Sequence, residues 1–140
     1  MLVTSTALSG LRASVMRLNA SASNVANVDS TGPVPSVAPT SPGPPPQSGG
    51  ASVYQPVRVQ QSAVPSGGTI ATYTPVSPGY VARFDSTSPH ANADGMVAAP
   101  NVDFVSELAE QLGAALAYKA NLKVVEAMNQ LSQSSVERWA

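Results

Sequence analysis

Cysteine is absent from this 140-residue chain, which removes any disulfide framework and any thiolate nucleophile or thiolate metal ligand. His90 is the single histidine, so a serine nucleophile would have one possible imidazole base, and no Gly-x-Ser-x-Gly elbow is present to carry such a serine. Charged residues make up only 11% of the chain and the net charge is −1, with lysines and arginines scattered, leaving no basic surface for a nucleic-acid backbone. Two phenylalanines and one tryptophan offer little aromatic mass for a large core. No uninterrupted apolar run of about 18 residues exists, so a membrane span is not expected. Met1-Leu2-Val3-Thr4 has neither a basic region nor a continuous apolar stretch behind it, and a cleaved secretory signal is not expected either.

What the chain does contain is concentrated at its two ends. Leu8, Leu11, Val15, Leu18, Ala22 and Val25 recur at alternating steps of three and four, the a/d spacing of a coiled-coil strand. An ordinary buried globular helix is the alternative. Off that stripe stand Ser14, Asn19, Ser21, Ser23, Asn24 and Asn27, with Arg12 and Arg17 the only charges before Asp29. Small uncharged residues allow close approach of a neighbouring helix, so this outward face is expected to be covered as well.

A second helix is expected from Asp103, whose carboxylate can cap the first N–H groups while Glu107 and Glu110 complement the positive end of the helix dipole. Leu108, Leu112, Ala115, Leu122, Val125, Met128 and Leu131 mark its apolar side, and no proline interrupts the chain from Phe104 to Ala140. Neither helix would be stable alone in water, because isolated helices depend on tertiary packing of an apolar face. The expected fold is therefore mainly α: two long terminal helices paired as an antiparallel coiled coil, with Leu11, Val15 and Leu18 facing Leu108, Leu112, Leu122 or Val125. A proline-rich loop and a small β patch would lie between them.

The chain divides accordingly into an N-terminal helical segment (1–32), a loop (33–50), short strands and turns (51–100) and a C-terminal helix (101–140). The loop holds seven prolines and three glycines and cannot repay the entropy of joining a core. Beyond it, Val53, Val57 and Val59 alternate with Tyr54, Pro56 and Arg58; Ile70, Thr72 and Thr74 form a second run and Tyr80, Ala82 and Phe84 a third. Gly67-Gly68 and Pro78-Gly79 are the turn signals between them, and Pro56 suits an edge position. The His90–Gly95 stretch has a superficial likeness to a calcium loop, but His90 stands where that loop needs Asp and Asn101 where it needs Glu. It reads as an Asx-rich turn closed by Gly95. The Asn19-Ala20-Ser21 sequon falls inside the first helix. Asp85, Asp94 and the helix-borne glutamates do not build a carboxylate-lined cleft, so an enzyme is not expected, and neither is a cofactor or a bound metal.

Three segments together carry a family resemblance. Leu18-Asn19-Ala20-Ser21-Ala22-Ser23-Asn24-Val25-Ala26-Asn27-Val28-Asp29-Ser30-Thr31-Gly32 resembles the N-terminal signature of the axial proteins of the bacterial flagellum, the rod and hook proteins. Tyr118-Lys119-Ala120-Asn121, with Val124 and Val125 after it, is similar to their C-terminal signature. Ser88-Pro89-His90-Ala91-Asn92-Ala93-Asp94-Gly95-Met96-Val97 and Pro100-Asn101-Val102-Asp103 resemble the segment that marks a proximal-rod member of the family, although Met96 stands where tyrosine is usual and the 33–50 loop is foreign to the pattern.

That resemblance implies a structural subunit of the proximal rod, a drive shaft that transmits torque to the hook. It implies as partners other flagellar rod proteins, further copies of the chain, basal-body ring and rod-adapter proteins, and the type III export apparatus. Location in the periplasmic rod of the basal body follows from it, with export that cleaves no signal. Another rod or hook-type axial subunit, or a subunit of a different secreted filament, is the alternative. The expected assembly residues are Leu8, Leu11, Val15, Leu18, Asn24, Asn27, Leu108, Leu112, Tyr118, Asn121, Leu122 and Val125. The three asparagines are expected to satisfy backbone groups where a helix ends or where subunits meet.

Overall fold

The structure, a computed structural model, describes residues 2–35 and 52–139, with the backbone alone for residues 2, 138 and 139. The loop expected over 33–50 lies outside the described residues except for Pro33, Val34 and Pro35. Along the chain run helix α1 (Leu2–Ala26), strands β1 (Val57–Ala63), β2 (Thr69–Pro75), β3 (Tyr80–Phe84) and β4 (Met96–Pro100), and helix α2 (Phe104–Trp139).

Helix α1 stops where Asn27 turns its side-chain amide back onto the Ser23 carbonyl at 2.8 Å and the Asn27 carbonyl accepts from both the backbone N–H and the hydroxyl of Ser30. Helix α2 starts as its sequence suggests. Asp103 Oδ1 accepts the N–H of Val105 at 2.9 Å and of Ser106 at 3.4 Å, and those backbone bonds hold its carboxyl below the usual range.

The strands form two antiparallel pairs. In the first, β1 and β2 pair from Val57↔Pro75 to Ala63↔Thr69, closed by a turn in which Gly67 and Gly68 both take positive φ, the conformation that favours glycine. This hairpin lies along α1. Thr69 N–H donates to Ser9 Oγ near the hairpin tip, and Asn24 meets Val57 at its base, so the hairpin spans most of the helix. In the second, β3 pairs with β4 from Tyr80↔Pro100 to Phe84↔Met96, and Gly32 bridges to Ala98 on the far edge of β4. A Cβ at Gly32 would stand 2.6 Å from the backbone nitrogen of Val53, so the chain leaving α1 passes between β4 and the segment that returns toward β1. Val97, Ala98, Ala99 and Pro56 are buried at this end of the molecule.

The loop from β3 to β4 is organised by two side chains. Asp85 Oδ1 accepts from the backbone and hydroxyl of Thr87, which lowers its pKa, and Asn92 Oδ1 accepts the N–H groups of Asp94 and Met96. Gly95 closes the turn at φ 74°, and the Phe84 ring lies against it. The stretch with a likeness to a calcium loop is therefore an Asx turn.

The expected fold class needs correction. Two terminal helices are present, but they do not form a long coiled coil, and the β structure is two separate sheets rather than one patch of three strands. Contacts between the helices run in antiparallel order, Gly10 with Asn121, Arg17 with Glu110 and Asn24 with Glu107, and involve the first half of α2. They are made by glycine, serine, arginine, glutamate and asparagine, not by a leucine seam. Pro56 is likewise not in an edge strand: it is buried one residue before β1 begins.

Candidate assembly surface

The inner face of α1 is built from small and polar side chains. Ala7, Ala13, Ser14, Ala20, Ser21 and Asn24 are all at most 4% exposed, and Ala114 is the matching buried residue of α2. With so little side-chain volume on α1, a side chain of α2 can lie against its backbone: a Cβ at Gly10 would stand 2.7 Å from Asn121 Oδ1. Polar bonds then fix the register. Arg17 donates from Nε to Glu110 Oε1 at 2.5 Å and from a terminal nitrogen to Oε2 at 2.9 Å, a two-pronged pair that holds the Glu110 carboxyl below the usual range and raises Arg17. Ser21 Oγ donates to the Glu107 carbonyl at 3.0 Å.

Asn24 uses its whole amide. Its nitrogen donates to the Val57 carbonyl and to Glu107 Oε1, each at 2.8 Å, while its oxygen accepts from Tyr54 Oη at 3.0 Å and from Val57 N–H at 3.1 Å. Burial pushes the Tyr54 phenol up, and the nearby charge of Glu107 adds to that.

The leucine stripes point elsewhere. At about 100° per residue, Leu108, Leu112 and Leu116 stand roughly 140–180° around α2 from the middle of the face that carries Glu110, Ala114 and Asn121. They are 48%, 66% and 70% exposed, and Val105 continues the stripe toward the start of the helix at 74%. On α1, Leu8 and Val15 are exposed while Leu11 and Leu18 are half-buried. Beyond the reach of α1, α2 carries the exposed Leu131 and Val136.

The expected site residues therefore separate into two groups. Leu8, Val15, Leu108, Leu112 and Leu122 lie at the surface, with Leu11, Leu18 and Val125 half-buried. Asn24 and Asn121 are drawn inside the subunit, Asn121 donating to the Ala117 carbonyl at 2.9 Å beside Gly10, and Asn27 closes α1; Tyr118 is half-buried. Arg17, Ser21, Glu107 and Glu110 were not anticipated as interhelical residues. A signal was present, since Arg17 is one of two charges on an otherwise neutral helix and the two glutamates sit one turn apart, but without the fold these read as dipole and solvent charges.

A cleft of about 340 Å³ opens between the helices and β1, lined by Arg17, Arg58, Ser106, Glu107 and Glu110 among others, so that the Arg17–Glu110 pair forms part of its wall. Among the described residues, no three His, Asp or Glu side chains are grouped so as to hold a metal, and no helix is long and apolar enough to cross a membrane.

These features define a class before they define a family: a two-helix subunit, closed internally by small and polar contacts, that presents apolar helical stripes to its surroundings. Residues 93–138, which cover β4 and α2, match the family model described as the C-terminal part of flagellar basal body rod FlgEFG proteins. The chain is 31% identical to the flagellar basal-body rod protein FlgC of Escherichia coli O157:H7 over 123 residues, 88% of this chain and 85% of the relative. It is 30% identical to FlgC of Salmonella typhimurium over the same length and coverage. With FlgC of Aquifex aeolicus it shares 31% identity over 62 residues, 44% of this chain and 46% of that one. The chain belongs to the FlgC family of flagellar basal-body rod proteins and is a structural rod subunit of the flagellar basal body.

Proposed function

We propose that this subunit belongs to the proximal rod and that its exposed leucine stripes are the surfaces by which it joins other rod proteins and further copies of itself. The observation that carries this reading is the row Val105, Leu108, Leu112 and Leu116, exposed on a helix whose opposite face is already occupied by α1. Water is a poor partner for such a row. Each leucine taken from solvent by a neighbouring helix contributes about 1.5–3 kcal/mol, enough over a few side chains to drive lengthwise packing. Subunits related by a non-closing rotation then build a tube rather than a closed ring.

In this reading the chain acts mechanically and not as an enzyme. It passes through the type III export apparatus without losing a signal segment, assembles in the periplasm, meets ring and rod-adapter proteins at the ends of its segment of rod, and transmits torque toward the hook. The test is a charge on the exposed stripe. Leu112→Asp combined with Leu116→Asp should abolish rod assembly and motility while helical content in the free chain and secretion into the periplasm stay at the unmodified level. Normal rods in the double variant would refute the reading.

A further inference from the structure

Asn24 is buried between three segments far apart in sequence: α1 itself, the 54–57 stretch leading into the hairpin, and the first turns of α2. Its amide has two donors and two acceptor positions, and every one is used. Three of the four bonds come from Tyr54 and Val57 on the hairpin side; the fourth goes to Glu107 on α2. If the hairpin lifts from α1, Asn24 keeps one partner and is left as an unsatisfied amide between two helices, which opposes keeping those helices together. The other hairpin anchor, Thr69 N–H donating to Ser9 Oγ, stands near the opposite end of α1, and the Ser9 hydroxyl in turn donates to the Thr6 carbonyl of the same helix. Of these two anchors, the one at the hairpin base is the one whose α1 side chain also bonds α2.

We infer that Asn24 is a conditional lock, such that α1 and α2 stay paired only while the 54–57 stretch is docked, making the hairpin base and the first half of α2 one opening unit in the free chain. The unit gives the fold a defined joint: a subunit whose hairpin base is released is a subunit whose terminal helices separate. This holds for the single chain and does not depend on how the rod is assembled.

Hydrogen exchange of the full-length free chain under native conditions tests it, using Tyr54→Phe, which deletes one donor to Asn24 and leaves the amide itself in place. Amides of the hairpin base and of residues 107–118 should both exchange about 5- to 10-fold faster, by the same factor, while those of the β3–β4 sheet are unchanged. Ser9→Ala should speed exchange at the hairpin tip and leave residues 107–118 as they were. Acceleration confined to the hairpin in Tyr54→Phe would show that Asn24 is an ordinary anchor. Uniform acceleration that includes β3 and β4 would show a global loss of stability, and either result overturns the lock. Asn24→Ala supplies a second check: the hairpin and residues 107–118 should then exchange at unrelated rates, and rates that remain matched contradict the proposal.

Discussion

Gly10 of α1 sits directly beneath the side chain of Asn121 on α2, so closely that a methyl group at Gly10 would lie 2.7 Å from Oδ1 and 2.8 Å from Nδ2. The contact marks where the Asn121 amide lies against the backbone of α1. A glycine in mid-helix costs roughly 1 kcal/mol relative to alanine, so this approach is obtained against the local preference of the chain. Gly113 on α2 is a different case: a Cβ there would stand 3.6 Å from Arg17, in ordinary contact.

The two glycines should therefore respond with opposite signs. Gly113→Ala should raise stability by about 0.5–1 kcal/mol through helix propensity. Gly10→Ala should lower it by about 1 kcal/mol, because the new methyl group displaces the Asn121 amide from its place against α1. Adding Asn121→Ala to Gly10→Ala should recover much of the loss. Urea unfolding of the four chains measures all of this, and a stabilised Gly10→Ala would mean that the Asn121 amide does not rest against Gly10.

Acid should loosen the helix pair. Arg17 holds the Glu110 pKa below its unfolded value, so the stabilisation is present above that value and is lost as pH falls through the lower, folded-state value. The window lies beneath about pH 4.3, the ordinary glutamate range. Because Glu110 is 40% exposed, solvent screening limits the effect to about 1 kcal/mol or less. Glu110→Gln should flatten the acid side of the stability profile below that pH and leave the profile at higher pH nearly parallel to that of the unmodified chain. An unchanged acid limb would show that the pair contributes nothing.

Position on α2 should decide what a new charge does. Leu116→Asp stands at a site 70% exposed and should leave the thermal midpoint of the free chain within a few degrees. Ala114→Asp, two residues away at a site with no exposure, should unfold or open the helix pair by placing an unpaired carboxylate between helices. Circular dichroism melts of the two variants separate the faces. Equal effects would mean that α2 has no inner and outer side.

Much of this arrangement is legible in the sequence. Asp103 starts α2 as its side chain suggests, Gly67-Gly68 turn the hairpin, and Tyr80 to Phe84 are a strand. Strand β4 is harder to see, because Met96-Val97-Ala98-Ala99-Pro100 does not alternate and ends in proline; its apolar run reflects burial by β3, Gly32 and the segment near Val53. The first run is shifted: Val53 and Tyr54 precede the strand, and Gln60, Gln61 and Ser62 lie within it, held by pairing to β2 rather than by an apolar face. The faces of the helices were not legible. Reading Leu11 against Leu112 assumes that a chain buries its own leucines, which holds for a monomer whose only partner is itself. Here Gly10, Ser21 and Asn24 make the internal contact, and Leu8, Leu108, Leu112 and Leu116 are left at the surface, where they can be covered by a neighbour.

Thiol labelling tests that division most directly, since the chain contains no cysteine of its own and each introduced one reports a single site. Leu8→Cys and Leu112→Cys should react rapidly in the free chain and become at least 10-fold slower in assembled rods, while Ala114→Cys should be slow in both. Slow labelling at Leu112→Cys in the free chain, or equally fast labelling before and after assembly, would contradict the assignment of the leucine stripes as the surfaces between subunits.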